Sequence, residues 1–352
     1  FESRSFYIIS VDVGRGKTTF LRHLQLEFLQ KTEFLPVFLE ASTIEEWKLK
    51  DRNDFAVKLA KHYGLRLPEN RVIDFIEKYF DHNLVFLIDG LDQIKSGGSE
   101  YEHMVDHIFQ IMEHNVIIAS RPSAVVNLEE ENKYKFIRLK SFDQKAQTAY
   151  FKKNYDRAKE LSQYSTDLIA IPMLAYMVRT LIEGGEDKNV DTRTKLYQKF
   201  IEHILMKYKH GKTKLPPGLR AQIRMTLGKI AYLALTEKET HIQKIPLSFC
   251  YEMNLLPHNL AENDSESLTK SGLVNIVVEQ SGFTSKDCLY FTHQSFQEYL
   301  AAEYVSTNDS LIDHILAEKW NPKWKETIKF LTGLRGQEII ERILEERDNV
   351  IH

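Results

Sequence analysis

Cysteine is nearly absent. Cys250 and Cys288 are the only two in 352 residues. That is too few for a disulfide framework or a four-ligand zinc site, and both read as buried thiols. There is no basic excess either: 47 lysines and arginines face 50 aspartates and glutamates, for a net charge of −3. The electrostatic footprint of a nucleic-acid-binding protein is therefore missing. No apolar run reaches membrane-spanning length, and Phe1 begins no signal peptide. A reducing, cytoplasmic setting is the expectation. Because the chain starts almost directly on a strand, it reads as a fragment of something longer. Its 43% hydrophobic residues are enough for two or three packed domains.

Near its start the chain has a phosphate-binding pattern. Phe6 to Ile9 read as a buried strand, followed by a short loop with Gly14 and Gly16. Lys17, Thr18 and Thr19 then open a helix whose apolar positions Phe20, Leu21, Leu24 and Phe28 share helical spacing. Strand, glycine loop and Gly-Lys-Thr helix form the context of a P-loop. The helix N-terminus offers unpaired N–H groups and a positive dipole to an anion. Lys17 can reach the β- and γ-phosphates, and the Thr18 hydroxyl can bind Mg²⁺. One departure stands out: Val11 occupies the place of the usual first glycine, and its Cβ resists a positive φ. Either this loop turns differently or the sequence is discontinuous near Ser10.

Strands are then expected at 35–41, 84–88, 116–120 and 136–140, with helices near 54–63, 70–80 and 101–113 between them. That alternation predicts an α/β unit with a doubly wound, mainly parallel sheet. The run Leu84–Ile88 ends in Asp89-Gly90-Leu91-Asp92-Gln93, at the strand end where such sheets place ligands. Asp89 is the candidate Mg²⁺ carboxylate, and otherwise a strand-end cap. Asp92 can orient or polarise a hydrolytic water. Gln93 stands where a carboxylate would be the stronger base, so slow hydrolysis is expected. Arg121, held by Pro122 after the fourth strand, can sense a γ-phosphate or pair with a sheet-end carboxylate.

Beyond Ser141 the period turns helical, with helices expected at 143–155, 158–170, 173–183, 193–209 and 219–236. Pro172 occupies a good first helical position. Short strands at 272–278 and 288–291 flank Ser281-Gly282 like the wing of a winged helix, and an amphipathic helix follows from Thr292. The remainder, broken at Trp320-Asn321-Pro322-Lys323-Trp324, reads as the start of a helical superstructure.

Together these stretches resemble a NACHT-type STAND ATPase, the nucleotide-switch module of NLR-like signalling and immune proteins. Gly14-Arg15-Gly16-Lys17-Thr18-Thr19 resembles its Walker A loop, Leu87-Ile88-Asp89-Gly90-Leu91-Asp92 its Walker B, and Ile118-Ala119-Ser120-Arg121-Pro122 its sensor 1. Ile171-Pro172-Met173-Leu174 matches the proline that meets adenine. Phe291-Thr292-His293-Gln294-Ser295-Phe296-Gln297-Glu298-Tyr299-Leu300-Ala301-Ala302 resembles the winged-helix motif whose histidine contacts the ADP phosphate. The implied layout is a P-loop domain at 1–141, a helical domain at 142–209, a winged-helix domain at 210–305 and a C-terminal helical start at 306–352.

The resemblance implies ATP/ADP with Mg²⁺ as ligands and a closed ADP state. It also implies self-association on ATP binding, an effector domain upstream and a sensor for an unknown activating ligand downstream. Innate immune or antiviral defence is the expected setting. Two other classes stay open. One is a continuously cycling P-loop ATPase doing mechanical or phosphoryl-transfer work; the other is a scaffold that keeps the fold without nucleotide.

Overall fold

Each strand of the first sheet alternates its side chains between two buried faces, as a period of two requires. Phe6, Ile8, Phe86, Ile88, Val116 and Ile118 enter one core, with Ile44, Phe55 and Leu59. Ile9, Val85, Leu87, Ile117 and Ala119 enter a second core with Leu21 and Phe28. Runs apolar on both faces suit a parallel sheet covered on both sides.

The computed structural model describes residues 6–12, 14–65, 68, 70–72, 74, 84–94, 105–108, 110, 115–125, 128, 134–207, 209–210, 213–214, 216–236, 245–255, 271–281 and 284–350. The chain divides into two compact units, Phe1–Lys140 and Ser141–His352.

In the first unit, β1 (Phe6–Ser10) leads through the glycine loop into α1 (Lys17–Lys31). Then come β2 (Leu35–Glu40), α2 (Ala41–Trp47), α3 (Arg52–His62), β3 (Leu84–Asp89), β4 (Asn115–Ser120) and β5 (Lys135–Ile137). The sheet order is β2-β3-β4-β1-β5, with every pair parallel. The expected α/β class with a parallel sheet is thus observed. Two expectations are corrected. The chain is already helical at Ala41, because β2 pairs with β3 only through Glu40, opposite Asp89. The fifth strand stops at Ile137, as only Lys135, Phe136 and Ile137 pair with β1. Residues 70–72, 74, 105–108 and 110 are helical. The other parts of the helices expected at 70–80 and 101–113 lie outside the described residues.

The second unit is held by one continuous core. Its helices begin with α4 (Gln144–Phe151), α5 (Tyr155–Leu161), α6 (Asp167–Ala170) and α7 (Pro172–Gly184). The two helices expected at 143–155 and 158–170 are therefore broken into shorter pieces. Lys152 adopts φ 51°, and the Ser162 hydroxyl bonds the Lys159 carbonyl at 2.8 Å, a local contact that competes with a continuing helix. There follow α8 (Arg193–Lys207), a two-residue ribbon of β6 (Lys209–His210) and β7 (Thr213–Lys214), and α9 (Pro217–Thr236). Next are β8 (Ile245–Pro246), α10 (Leu247–Glu252), β9 (Val274–Ser281) and β10 (Thr284–Phe291). These last strands form a hairpin, and β8 adds to β10 in a three-stranded antiparallel sheet. Gly282, at the expected wing, lies outside the described residues. The chain continues as α11 (Gln294–Val305), α12 (Asp309–Ala317), α13 (Lys325–Arg335) and α14 (Gln337–Val350). Among the described residues no helix is long and apolar enough to cross a membrane.

Candidate nucleotide site

Sheet order explains why distant residues meet. β4 lies between β1 and β3, so the loop after β1, the residues after β3 and those after β4 share one sheet edge. That edge is the carboxyl end of a parallel sheet, where α/β proteins bind ligands.

The loop after β1 does turn in its own way. Val11 keeps to the strand path, donating its N–H to the Ser120 carbonyl at 3.1 Å, and its side chain is buried in the core beneath α1. The positive φ angles fall instead on Gly14 (77°) and Gly16 (88°), and Gly16 caps α1. A Cβ at either glycine would be strained there. Of the two readings open at position 11, the loop that turns differently is the one observed, and the backbone asks nothing unusual of Val11. Phe20 N–H already bonds the Gly16 carbonyl at 2.8 Å, so the first turn's remaining donors face the loop. Arg15 and Lys17 are partly buried, whereas Thr18 and Thr19 are exposed in that turn.

Lys17 Nζ donates to the Val11 carbonyl at 2.9 Å. The Thr18 hydroxyl donates to Asp89 Oδ2 at 2.5 Å. Arg121 holds Asp92 twice: its Nε lies 2.9 Å from Oδ2, and its backbone N–H donates to Oδ1 at 3.1 Å. Of the two partners open to Arg121 in the sequence, the carboxylate is the one it has here. The Asp92 side chain is 5% exposed, so this pair stands mostly out of water. The side chain of Gln93 lies outside the described residues.

These charges strain one another. Burial pushes the Asp89 carboxyl above its ordinary range and Asp92 adds to that, against Thr18 and Lys17. Burial pulls the Lys17 ammonium below its ordinary value, against the attraction of Asp92 and Asp89. A carboxylate and an ammonium both shifted by burial at one end of the sheet make this a candidate functional site. The residues fit a magnesium–polyphosphate ligand. Mg²⁺ prefers oxygen donors and takes one or two carboxylates beside substrate phosphates. Thr18 and Asp89 supply hard oxygens, Lys17 a cation, and the glycine loop its N–H groups.

The other two residues expected to touch nucleotide, Pro172 and His293, lie in the second unit. Ile171 caps α7 and Pro172 is its first residue. His293 caps α11, its Nδ1 accepting the Ser295 N–H at 3.1 Å. The two segments meet at Ser295, whose Oγ lies 3.6 Å from Met173 Sδ and 2.7 Å from His293 Nδ1. The Tyr197 hydroxyl donates to the same Ser295 Oγ at 2.8 Å. Tyr197 was not singled out from sequence, since nothing in its helical spacing distinguishes it from a core aromatic.

A family model described as the NACHT domain matches residues 7–158. No curated protein matches the chain. Among solved structures, the Aeropyrum pernix ORC1 protein in complex with DNA is similar at 15% identity with a TM-score of 0.34, over 85% of this chain and 86% of that one. Drosophila ORC bound to DNA is similar at 10% identity with a TM-score of 0.31, over 87% and 90%. Similarity of that order defines neither fold detail nor ligand. The family match falls on the unit that holds the glycine loop, Asp89 and Arg121, and on the first residues beyond it. Residues 7–158 are thus similar to the NACHT domain, a family of P-loop NTPases, which supports a nucleotide-binding ATPase module in this chain.

Proposed function

We propose that the chain is the nucleotide switch of a signalling ATPase, slow in turnover and read out through assembly. In this reading Gly14, Arg15, Gly16, Lys17, Thr18 and Thr19 cradle the phosphates of ATP or ADP. Thr18 and Asp89 hold Mg²⁺, which neutralises phosphate charge when bound. Asp89, Asp92 and Arg121 form the hydrolytic edge. Pro172, from a helical domain at 142–209, meets the adenine. His293, from a winged-helix domain at 210–305, contacts the phosphate of ADP and favours a closed state, and residues 306–352 begin a C-terminal helical region. ATP then favours self-association and activation of an effector, after a ligand of unknown identity acts through a sensor. Innate immune or antiviral defence is the setting this suits, in the cytoplasm.

The observation that supports a switch over a continuously cycling enzyme is the Arg121–Asp92 pair. Both oxygens of the carboxylate nearest a hydrolytic role are engaged by one arginine, so Asp92 is poorly placed to accept a proton from water. A nucleotide that binds one state better shifts the equilibrium by that difference alone. Moving a population from mostly closed to mostly open takes about 5 kcal/mol.

Steady-state ATP hydrolysis by the purified chain tests this reading. The expected turnover is well below the range of about 1–100 s⁻¹ of working phosphoryl-transfer enzymes. A rate within that range contradicts the switch and supports the cycling enzyme.

A further inference from the structure

His293 is an unusual choice for a helix N-cap, a position that favours Ser, Thr, Asp and Asn. Its ring does the capping work of a smaller side chain: Nδ1 accepts the backbone N–H of Ser295 at 3.1 Å. A backbone amide can only donate, so Nδ1 carries no proton, and the neutral ring must carry it on Nε2. Ser295 is fully buried, so its hydroxyl needs partners. It has three neighbours: His293 Nδ1 at 2.7 Å, the Tyr197 hydroxyl at 2.8 Å and Met173 Sδ at 3.6 Å. With Nδ1 unprotonated, the short contact is Ser295 O–H donating to it. Tyr197 O–H then donates to Ser295 Oγ, and the order Tyr197 to Ser295 to His293 is fixed throughout. Tyr197 is itself buried, packed on Tyr299, Phe296 and Phe330 and beside Arg193.

We propose that Ser295 and Tyr197 are positioning residues for nucleotide recognition: together they hold His293 as the Nε2–H tautomer, in the orientation from which it donates to a phosphate oxygen. The inference rests on the reading of His293 as a phosphate contact given above. It assigns to a buried hydroxyl pair a share in that hold, beside the Ser295 backbone N–H that caps onto the same Nδ1. A histidine free to take either tautomer would present a lone pair to the phosphate part of the time, and a lone pair facing an anion repels it.

Two measurements on the full chain test this. The first is the ¹⁵N spectrum of ring-labelled histidine, with His293→Ala supplying the assignment. The expected result is an unprotonated Nδ1 and a protonated Nε2 in the neutral ring; the opposite tautomer overturns the proposal whatever the nucleotide does.

The second is ADP affinity by calorimetry for Ser295→Ala, Tyr197→Phe, His293→Ala and the double variant Ser295→Ala/His293→Ala. Ser295→Ala and Tyr197→Phe each remove one oxygen and add no atom, so neither introduces a clash. Ser295→Ala should weaken ADP about three- to tenfold, the value of one net hydrogen bond, and Tyr197→Phe should act in the same direction but less. His293→Ala should weaken it at least as much as Ser295→Ala, and the double variant should match His293→Ala, because the hydroxyl acts only through the ring. Additive losses would mean that Ser295 is merely structural and would overturn the proposal. So would wild-type affinity in Ser295→Ala and Tyr197→Phe beside a weakened His293→Ala, which leaves the phosphate contact itself standing. Unchanged affinity in His293→Ala removes the phosphate contact and the positioning role together.

Discussion

Lys17 sits where four other charges converge, with Asp12, Asp89, Asp92 and Arg121 all within its electrostatic reach. Its ammonium rests on the Val11 carbonyl, a contact a phosphate oxygen can replace with a charged one. Lys17→Ala should therefore weaken ADP and ATP binding about 10- to 100-fold, the worth of one charge-assisted contact, and should abolish nucleotide-dependent assembly. Fluorescent-nucleotide titration and size-exclusion runs would check it; unchanged binding would mean that the loop does not hold phosphate. At this scale the sequence was informative about residue types and mute about their partners. Gly-Lys-Thr and the strand-end aspartates were legible because local order fixes them. For Arg121 a sheet-end carboxylate was one of two readings, but that Asp92 is the partner was not legible, because it depends on β3 and β4 being neighbours, which no local pattern states. At Val11 two readings stayed open, and the loop that turns differently is the one observed, because the core beneath α1 uses the valine.

Helices and strands show the same division between local and tertiary causes. The buried parallel strands were plain, since apolar runs ended by acidic or glycine residues have few other uses. The breaks in the 143–170 region were not, because the backbone conformation of Lys152 and the local bond from Ser162 interrupt an otherwise regular helical pattern. Between elements, α8 and α13 are tied by Arg193 Nη1 and Glu326 Oε2 at 2.7 Å, and Lys329 Nζ lies 2.7 Å from the other Glu326 oxygen. Burial alone would raise the Glu326 carboxyl, but Arg193 and Lys329 outweigh it and hold the group below its ordinary value of 4.5. A lowered value in the folded state adds stability that is complete above the unfolded value and lost as pH falls through the folded one. Glu326→Gln should therefore destabilise the second unit by about 1–3 kcal/mol near neutral pH. The gap from wild type should narrow as pH falls below the ordinary glutamate range and close as the native carboxyl, held lower, protonates. Denaturant melts across that range would show it; a gap independent of pH would mean that packing, not charge, accounts for the loss.

For the whole molecule, a match to the NACHT domain over residues 7–158 supports a nucleotide-binding ATPase module, and the proposed switch is built on it. The domain explains why a chain of nearly balanced charge gathers Lys17, Asp89, Asp92 and Arg121 at one sheet edge. The proposed switch would give a use to the histidine, serine and tyrosine hydrogen-bonded in line beside the start of α7. The measurement that tests this most directly is the nucleotide the protein carries through purification, extracted from the folded chain and identified by chromatography. The account predicts ADP, close to one per chain, and its loss from Lys17→Ala. A folded wild-type chain that carries no adenine nucleotide and binds none when ADP is added would contradict it.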